Sequence, residues 1–248
     1  VRVIKEWIEY LKTPSTQLAK SKGLLQQSVA LKFRSERLKH HWAGHLRACA
    51  QLVSRLDSKN KSVLILGSGH LLETPETSLL PFAKVGLVDM LHPFDVRKVA
   101  ARNNWSVIDL DLSGLWRPND AEQLQKIAQP YDYVVSANLL SQIPWSWTHS
   151  QPQMTEDLLL NSISNLLTQH WKLMLSLKKP LLLWTDVEEI HFSKLNEVVA
   201  QGDTLPGLSL PKQSNEWIWD FAPAPEIHAE LSVKLRMQSF KLNFESKL

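Results

Sequence analysis

The chain has 248 residues, 44% of them hydrophobic and 21% charged, with a formal net charge of +3. That length suits one large domain, or one domain with an extension, and that apolar share supplies a substantial core. No apolar run reaches the roughly 18 residues of a spanning helix, and the single cysteine, Cys49, excludes an internal disulfide and any multi-cysteine metal centre.

The first residues, Val1 to Glu6, lead into no long apolar segment, so a secretory signal is not expected there. Together with the lone cysteine this points to a reducing, cytoplasmic setting. Charge is unevenly spread. Residues 1–57 hold eleven Lys and Arg against four Asp and Glu, and the rest holds seventeen against twenty-one. A basic extension on an acidic domain leaves an anionic partner open, although interspersed charges also suit a solvated helical face.

Leu31 to Leu56 reads as a helix, with no Pro and one Gly. Leu38, Trp42, His45, Cys49, Leu52 and Leu56 recur at spacings of three and four and share an apolar stripe. Two roles are open for His45. It is a core histidine satisfied by a hydrogen bond, or the helix roofs a pocket and presents His45, with Trp42, to a substrate. His41 and His45 have metal-pair spacing, but no third ligand stands beside them in sequence, so no metal is expected. Residues 1–57 are taken as a helical extension and 58–248 as the main domain, with Asp57 to Asn60 as the turn between.

A β/α alternation follows. Val63 to Leu66 is an apolar strand running into Gly67-Ser68-Gly69. Pro75 to Phe82 reads as a short helix, Val85 to Asp89 as the second strand, and His92 to Asn103 as a helix. Trp105 to Asp111 is a third strand ending in carboxylates, and Asn119 to Ala128 a helix. Tyr131 to Asn138 is the fourth strand. Pro144 and Pro152 then bracket a loop with Trp145 and Trp147, and a long helix runs from Met154 to Leu177. Pro180 to Thr185 is the fifth strand, after which Asp186, Glu188, Glu189 and His191 suit a polar helix start or a metal cluster. Gly202 to Ser214 reads as a loop, and Trp217 to Trp219 and pieces of His228 to Leu242 as strands.

In an open parallel sheet, ligands bind beyond the carboxyl ends of the strands, where glycines let the backbone approach. An acid about twenty positions after the glycines is placed to accept ribose hydroxyls, and Asp89 stands twenty positions after Gly69. A pyrophosphate turn needs a small residue where this chain has Leu72, which disfavours a dinucleotide.

The ordered set of glycine turn, Asp89, Asp111 and a fourth strand ending at Asn138 resembles the class I S-adenosylmethionine-dependent methyltransferases over residues 60–185. The resemblance implies a Rossmann-like α/β fold: an open, mostly parallel sheet of about seven strands, helices on both faces, and here a helical N-terminal extension. It implies S-adenosylmethionine as cofactor, with Gly67, Ser68 and Gly69 against its amino-acid part, Asp89 on the ribose, Asp111 near the adenine, and Asn138 by the methyl acceptor. Ile65 and Leu71 depart from the family pattern, which often has an acid and a third glycine there. Leu139 and Leu140 after Asn138 do not match the subclass acting on exocyclic amines of bases.

His45 and Asn138 are the candidate catalytic residues, and His92, Asp186 and His191 are further candidate bases. Trp145, Trp147, Trp184, Trp217 and Trp219 suit either a substrate pocket or core packing. A small-molecule acceptor is expected over protein or RNA, because no nucleic-acid module is recognisable. Two rivals stand: a catalytically silent protein of this fold that binds a partner through its basic extension, and a nicotinamide-dependent oxidoreductase.

Overall fold

A computed structural model describes residues 11–14, 23–112, 118–144 and 155–243. The chain divides into two compact units, Val1–Leu112 and Ser113–Leu248. Trp145 and Trp147 lie outside the described residues.

In the first unit, the helix expected over Leu31–Leu56 is two helices, α1 (Leu24–Arg37) and α2 (Lys39–Ser54). Leu38, with φ −98° and ψ 14°, redirects the chain between them and buries its side chain. No Pro or Gly marks that break. A buried leucine at the corner makes it instead, and local propensity carries no sign of it. The whole predicted stripe, from Leu38 through Leu56, is buried.

Three parallel strands follow: β1 (Ser62–Leu66), β2 (Lys84–Asp89) and β3 (Ser106–Asp109). β1 pairs β2 from Ser62↔Lys84 to Leu66↔Val88, and β2 pairs β3 from Gly86↔Ser106 to Asp89↔Asp109. All five residues of β1 are buried, as a central parallel strand covered on both faces requires. β3 exposes its first and last residues, as an edge strand does. The connections carry the short helix α3 (Glu76–Leu79) and α4 (Phe94–Arg102). Leu25 and Val29 of α1 form a buried cluster with Leu91, just beyond β2, and Phe33 packs against it.

The second unit contains α5 (Pro118–Ala128), with proline at its first position, where the missing N–H costs nothing. β4 (Tyr133–Ala137) and β5 (Leu181–Phe192) are parallel, joined through α6 (Glu156–Ser176). Three antiparallel strands complete the unit: β6 (Val198–Asp203) on β5, β8 (Ser232–Leu242) along β5, and β7 (Asn215–Ala222) on β8. The order there is β4-β5-β8-β7, with β6 pairing the far half of β5.

Two local expectations change here. Asp186 to His191 continue β5 and do not start a helix, because β8 pairs them from Asp186↔Met237 to His191↔Val233. Long-range pairing outweighs a polar local pattern, since strand preference is mainly a preference for neighbours. Gly202 lies within β6 and not in a loop. The fold class is Rossmann-like α/β. Eight strands are found among the described residues, against the seven or so expected.

Candidate functional site

The predicted cofactor residues of the first unit converge at the carboxyl ends of its strands. Gly67 and Gly69 have φ of 76° and 43°, the left-handed region that favours glycine. The N–H of Gly67 donates to the carbonyl of Val88 at 2.9 Å, holding the turn beside the end of β2. The N–H of Gly69 donates to Asp89 Oδ2 at 2.8 Å, and that of Leu91 donates to Asp89 Oδ1 at 3.3 Å. One carboxylate therefore caps both the glycine turn and the bend after β2. Each carboxylate oxygen has a second lone pair, so acceptor capacity remains. The N–H of Leu110 donates to the Asp89 carbonyl, keeping the chain beside β2 for one more residue and bringing Asp111, half-buried, to the same edge.

Ser68 has a different role from that of its neighbours. Its hydroxyl lies 2.9 Å from His92 Nε2, and His92 Nδ1 lies 2.8 Å from Asp109 Oδ1. Arg97 Nη2 donates to the other oxygen of Asp109 at 2.5 Å. Burial raises the Asp109 pKa, but hydrogen bonds from His92 and Arg97, and their charge, outweigh it and hold the group below the usual carboxylate range. A carboxylate only accepts, so Nδ1 carries the proton. The spacing is that of a Ser-His-Asp relay. Ser68 and His92 are 3% and 0% exposed, however, so the relay fastens the turn to the ends of β2 and β3. Sequence reasoning listed His92 as a base and missed Asp109 and Arg97. Arg97 is five residues after His92 on α4, and only the folded chain brings it to the end of β3.

The helices meet this edge in two places. His70, next to Gly69, bonds through Nε2 to Ser28 of α1 at 2.8 Å, and Lys32 of α1 pairs with Asp95 at 2.6 Å. Thus α1 lies over the loop that follows β1 and the first turn of α4. α2 supplies a separate buried group. His45 Nε2 sits 2.9 Å from Glu73 Oε1, and Cys49 Sγ is 3.7 Å from the same nitrogen. His45 is 1% exposed and Trp42 is also fully buried. Burial, and then the negative charge of Glu73, pushes the Cys49 thiol far up, so the sulfur is held protonated. Glu73 has no periodic neighbours in the sequence and gave no signal.

In the second unit, Asn138 is buried, in the left-handed region with φ 48°. Its N–H donates to the Trp184 carbonyl at 3.0 Å, and its Oδ1 accepts from the N–H of Asp186 at 3.3 Å. The Ser141 hydroxyl donates to Asp186 Oδ1 at 2.5 Å. These residues form one polar cluster at the carboxyl end of β4, beside the middle of β5. His191 does not join it. Six residues beyond Thr185 along an extended strand is about 20 Å, and His191 pairs instead with Glu189 at 2.6 Å. Trp184 and Trp219 are core residues, Trp219 meeting Phe221 edge to face with ring centroids 4.9 Å apart, which removes them from a pocket wall. A groove bordered by Phe82, Lys84 and Trp105 lies at the amino-terminal ends of β2 and β3, opposite the glycine turn.

No protein-family model and no curated protein matches the sequence. Solved structures do. A candidate Zn-dependent alcohol dehydrogenase from Rhodobacter sphaeroides is 15% identical with a TM-score of 0.37, over 56% of this chain and 46% of that one. The chain thus spans less than half the length of that protein. A Burkholderia thailandensis 1,6-didemethyltoxoflavin-N1-methyltransferase, solved with bound 1,6-didemethyltoxoflavin and S-adenosylhomocysteine, is 13% identical with a TM-score of 0.40, over 86% of this chain and 88% of that one. An S-adenosylmethionine-dependent methyltransferase from Agrobacterium tumefaciens is 9% identical with a TM-score of 0.31, over 81% of this chain and 62% of that one. At such identities and TM-scores these likenesses carry no argument about the activity of this chain. No helix among the described residues is long and apolar enough to cross a membrane.

Proposed function

We propose that the chain is an S-adenosylmethionine-dependent methyltransferase that holds the cofactor at the Gly67–Gly69 turn. The observation that carries this reading is the bond from the Gly69 N–H to Asp89 Oδ2, which sets a carboxylate with spare acceptor capacity against a glycine turn. A Cβ at Gly69 would meet only Asp89 Oδ2, at 3.9 Å, so the turn is open where a ligand must approach. The donor set fits a nucleoside with a charged amino-acid tail: Asp89 for ribose hydroxyls, Asp111 for the adenine side, and Gly67 and Gly69 for close backbone contact. Ser68 serves through the turn it anchors, since its hydroxyl is engaged by His92.

When bound, the cofactor supplies a methyl group on an activated sulfonium, so the protein has only to position a nucleophile and accept its proton. Asn138 is proposed to orient the acceptor. In its cluster, Asp186 is a polar group able to take a proton. His45 is engaged by Glu73 and Cys49, which favours its role as a satisfied core histidine over a direct catalytic one. A small-molecule acceptor and a cytoplasmic location complete the proposal.

Titration calorimetry tests it. S-adenosylmethionine or S-adenosylhomocysteine should bind with micromolar affinity, on the order of −8 kcal/mol. Heat with NAD and none with either sulfur compound would transfer the chain to the oxidoreductase reading. Heat with none of the three leaves the silent, partner-binding protein.

A further inference from the structure

We propose that His45, Cys49 and Glu73 form a binding site for a divalent transition metal of the zinc type. One ligand atom from each residue lies within 4.8 Å of the other two, and the set is drawn from α2 and the loop before α3. His45 Nε2 is central: it is 2.9 Å from Glu73 Oε1 and 3.7 Å from Cys49 Sγ. Zinc bonds of about 2.0–2.3 Å at tetrahedral angles place neighbouring ligand atoms about 3.3–3.6 Å apart. The two separations from His45 Nε2 stand on either side of that range, and Cys49 and Glu73 lie within 4.8 Å of each other, so side-chain adjustments alone complete the site.

The residue types suit the metal. Imidazole, thiolate and carboxylate together select borderline-soft zinc or cobalt over magnesium or calcium, which prefer all-oxygen sites. Helical spacing of four puts His45 and Cys49 on one face. Charge balance points the same way. Binding releases the thiol proton to solvent, and a dication then neutralises one thiolate and one carboxylate in a region where net charge is costly. The imidazole and thiol ligands have side chains or sulfur shielded from solvent, while the Glu73 side chain is 15% exposed. The fourth position therefore falls on the Glu73 side, where water or an exogenous ligand can reach it. Sequence spacing offered His41 and His45 as the pair; the fold replaces His41 by Cys49 and adds Glu73, so the expectation of no metal gives way to this proposal.

The test uses the full chain, stripped with a chelator, dialysed and titrated with cobalt(II). The expected result is about one metal ion per chain, a rise in melting temperature, and a thiolate-to-cobalt charge-transfer band in the near ultraviolet. Because Cys49 is the single cysteine, that band has one possible source. Cys49→Ser should abolish the band, and Glu73→Gln should keep it while weakening binding at least tenfold, each with an unchanged far-ultraviolet circular dichroism spectrum. If Cys49→Ser does not fold, Cys49→Ala replaces it, with the same loss of the band expected. A folded wild-type chain that shows no charge-transfer band, or a band that survives in Cys49→Ser, overturns the proposal and leaves the His45–Glu73 contact as a structural hydrogen bond.

Discussion

The N–H of Gly69 donates to Asp89 Oδ2 at 2.8 Å, so the residue proposed to hold a ribose also holds the turn that must receive the rest of the ligand. Binding and local stability are coupled at this point. A substitution there will be read in both.

Asp89→Ala is expected to weaken binding of S-adenosylhomocysteine at least tenfold, since hydrogen bonds to a charged group contribute roughly 1.5–3 kcal/mol each. It also leaves two backbone donors, at Gly69 and Leu91, without their acceptor, so the melting temperature should fall by several degrees. Calorimetry on the folded mutant checks the first effect. Unchanged affinity would place the ribose elsewhere.

The Ser68–His92–Asp109 relay is expected to act as one unit. Ser68→Ala alone should cost about 1 kcal/mol and His92→Leu about 2–3 kcal/mol. The double mutant should lose less than the sum, by about 0.5 kcal/mol or more, because the two changes remove a shared bond. Urea denaturation of the four proteins measures this. Strict additivity would mean that the 2.9 Å contact contributes nothing to stability.

His45→Ala separates packing from catalysis. Loss of a buried histidine that satisfies Glu73 should lower stability by roughly 1–3 kcal/mol, with cofactor affinity unchanged. Turnover assayed below the melting point decides the question. A destabilised but fully active variant leaves His45 no part in the methyl transfer.

His170 predicts a pH effect. Complete burial pulls its pKa from 6.5 down to about 3. Between those values the unfolded chain binds a proton that the folded chain does not. Stability contributed by the neutral ring is therefore full above pH 6.5 and is lost as pH falls towards 3. The slope is about 1.4 kcal/mol per pH unit, so about 2 kcal/mol should go between pH 6.5 and pH 5. His170→Leu should flatten that part of the curve. Parallel profiles for wild type and variant would show that the ring titrates normally in the fold.

What the sequence by itself determined is the run of features whose causes are local. Continuous apolar runs marked the strands at Val63–Leu66 and Val85–Asp89, and two glycines marked the turn after the first. Spacing placed Asp89 opposite that turn, because in a parallel sheet one strand, one turn and one helix return the chain to the neighbouring strand end. The apolar stripe from Leu38 to Leu56 was equally legible, since a helix repeats every 3.6 residues. Only the tertiary structure decided the rest. Glu73 reaches His45 across 28 positions, and Asp109 reaches His92 across 17. Neither pair lies within one helix or strand, and a single polar side chain in a loop leaves no pattern. The extension of β5 past Thr185 was hidden for the same reason. Its polar residues are held by β8, more than 40 positions away, and pairing energy between such distant segments is not written in either one alone.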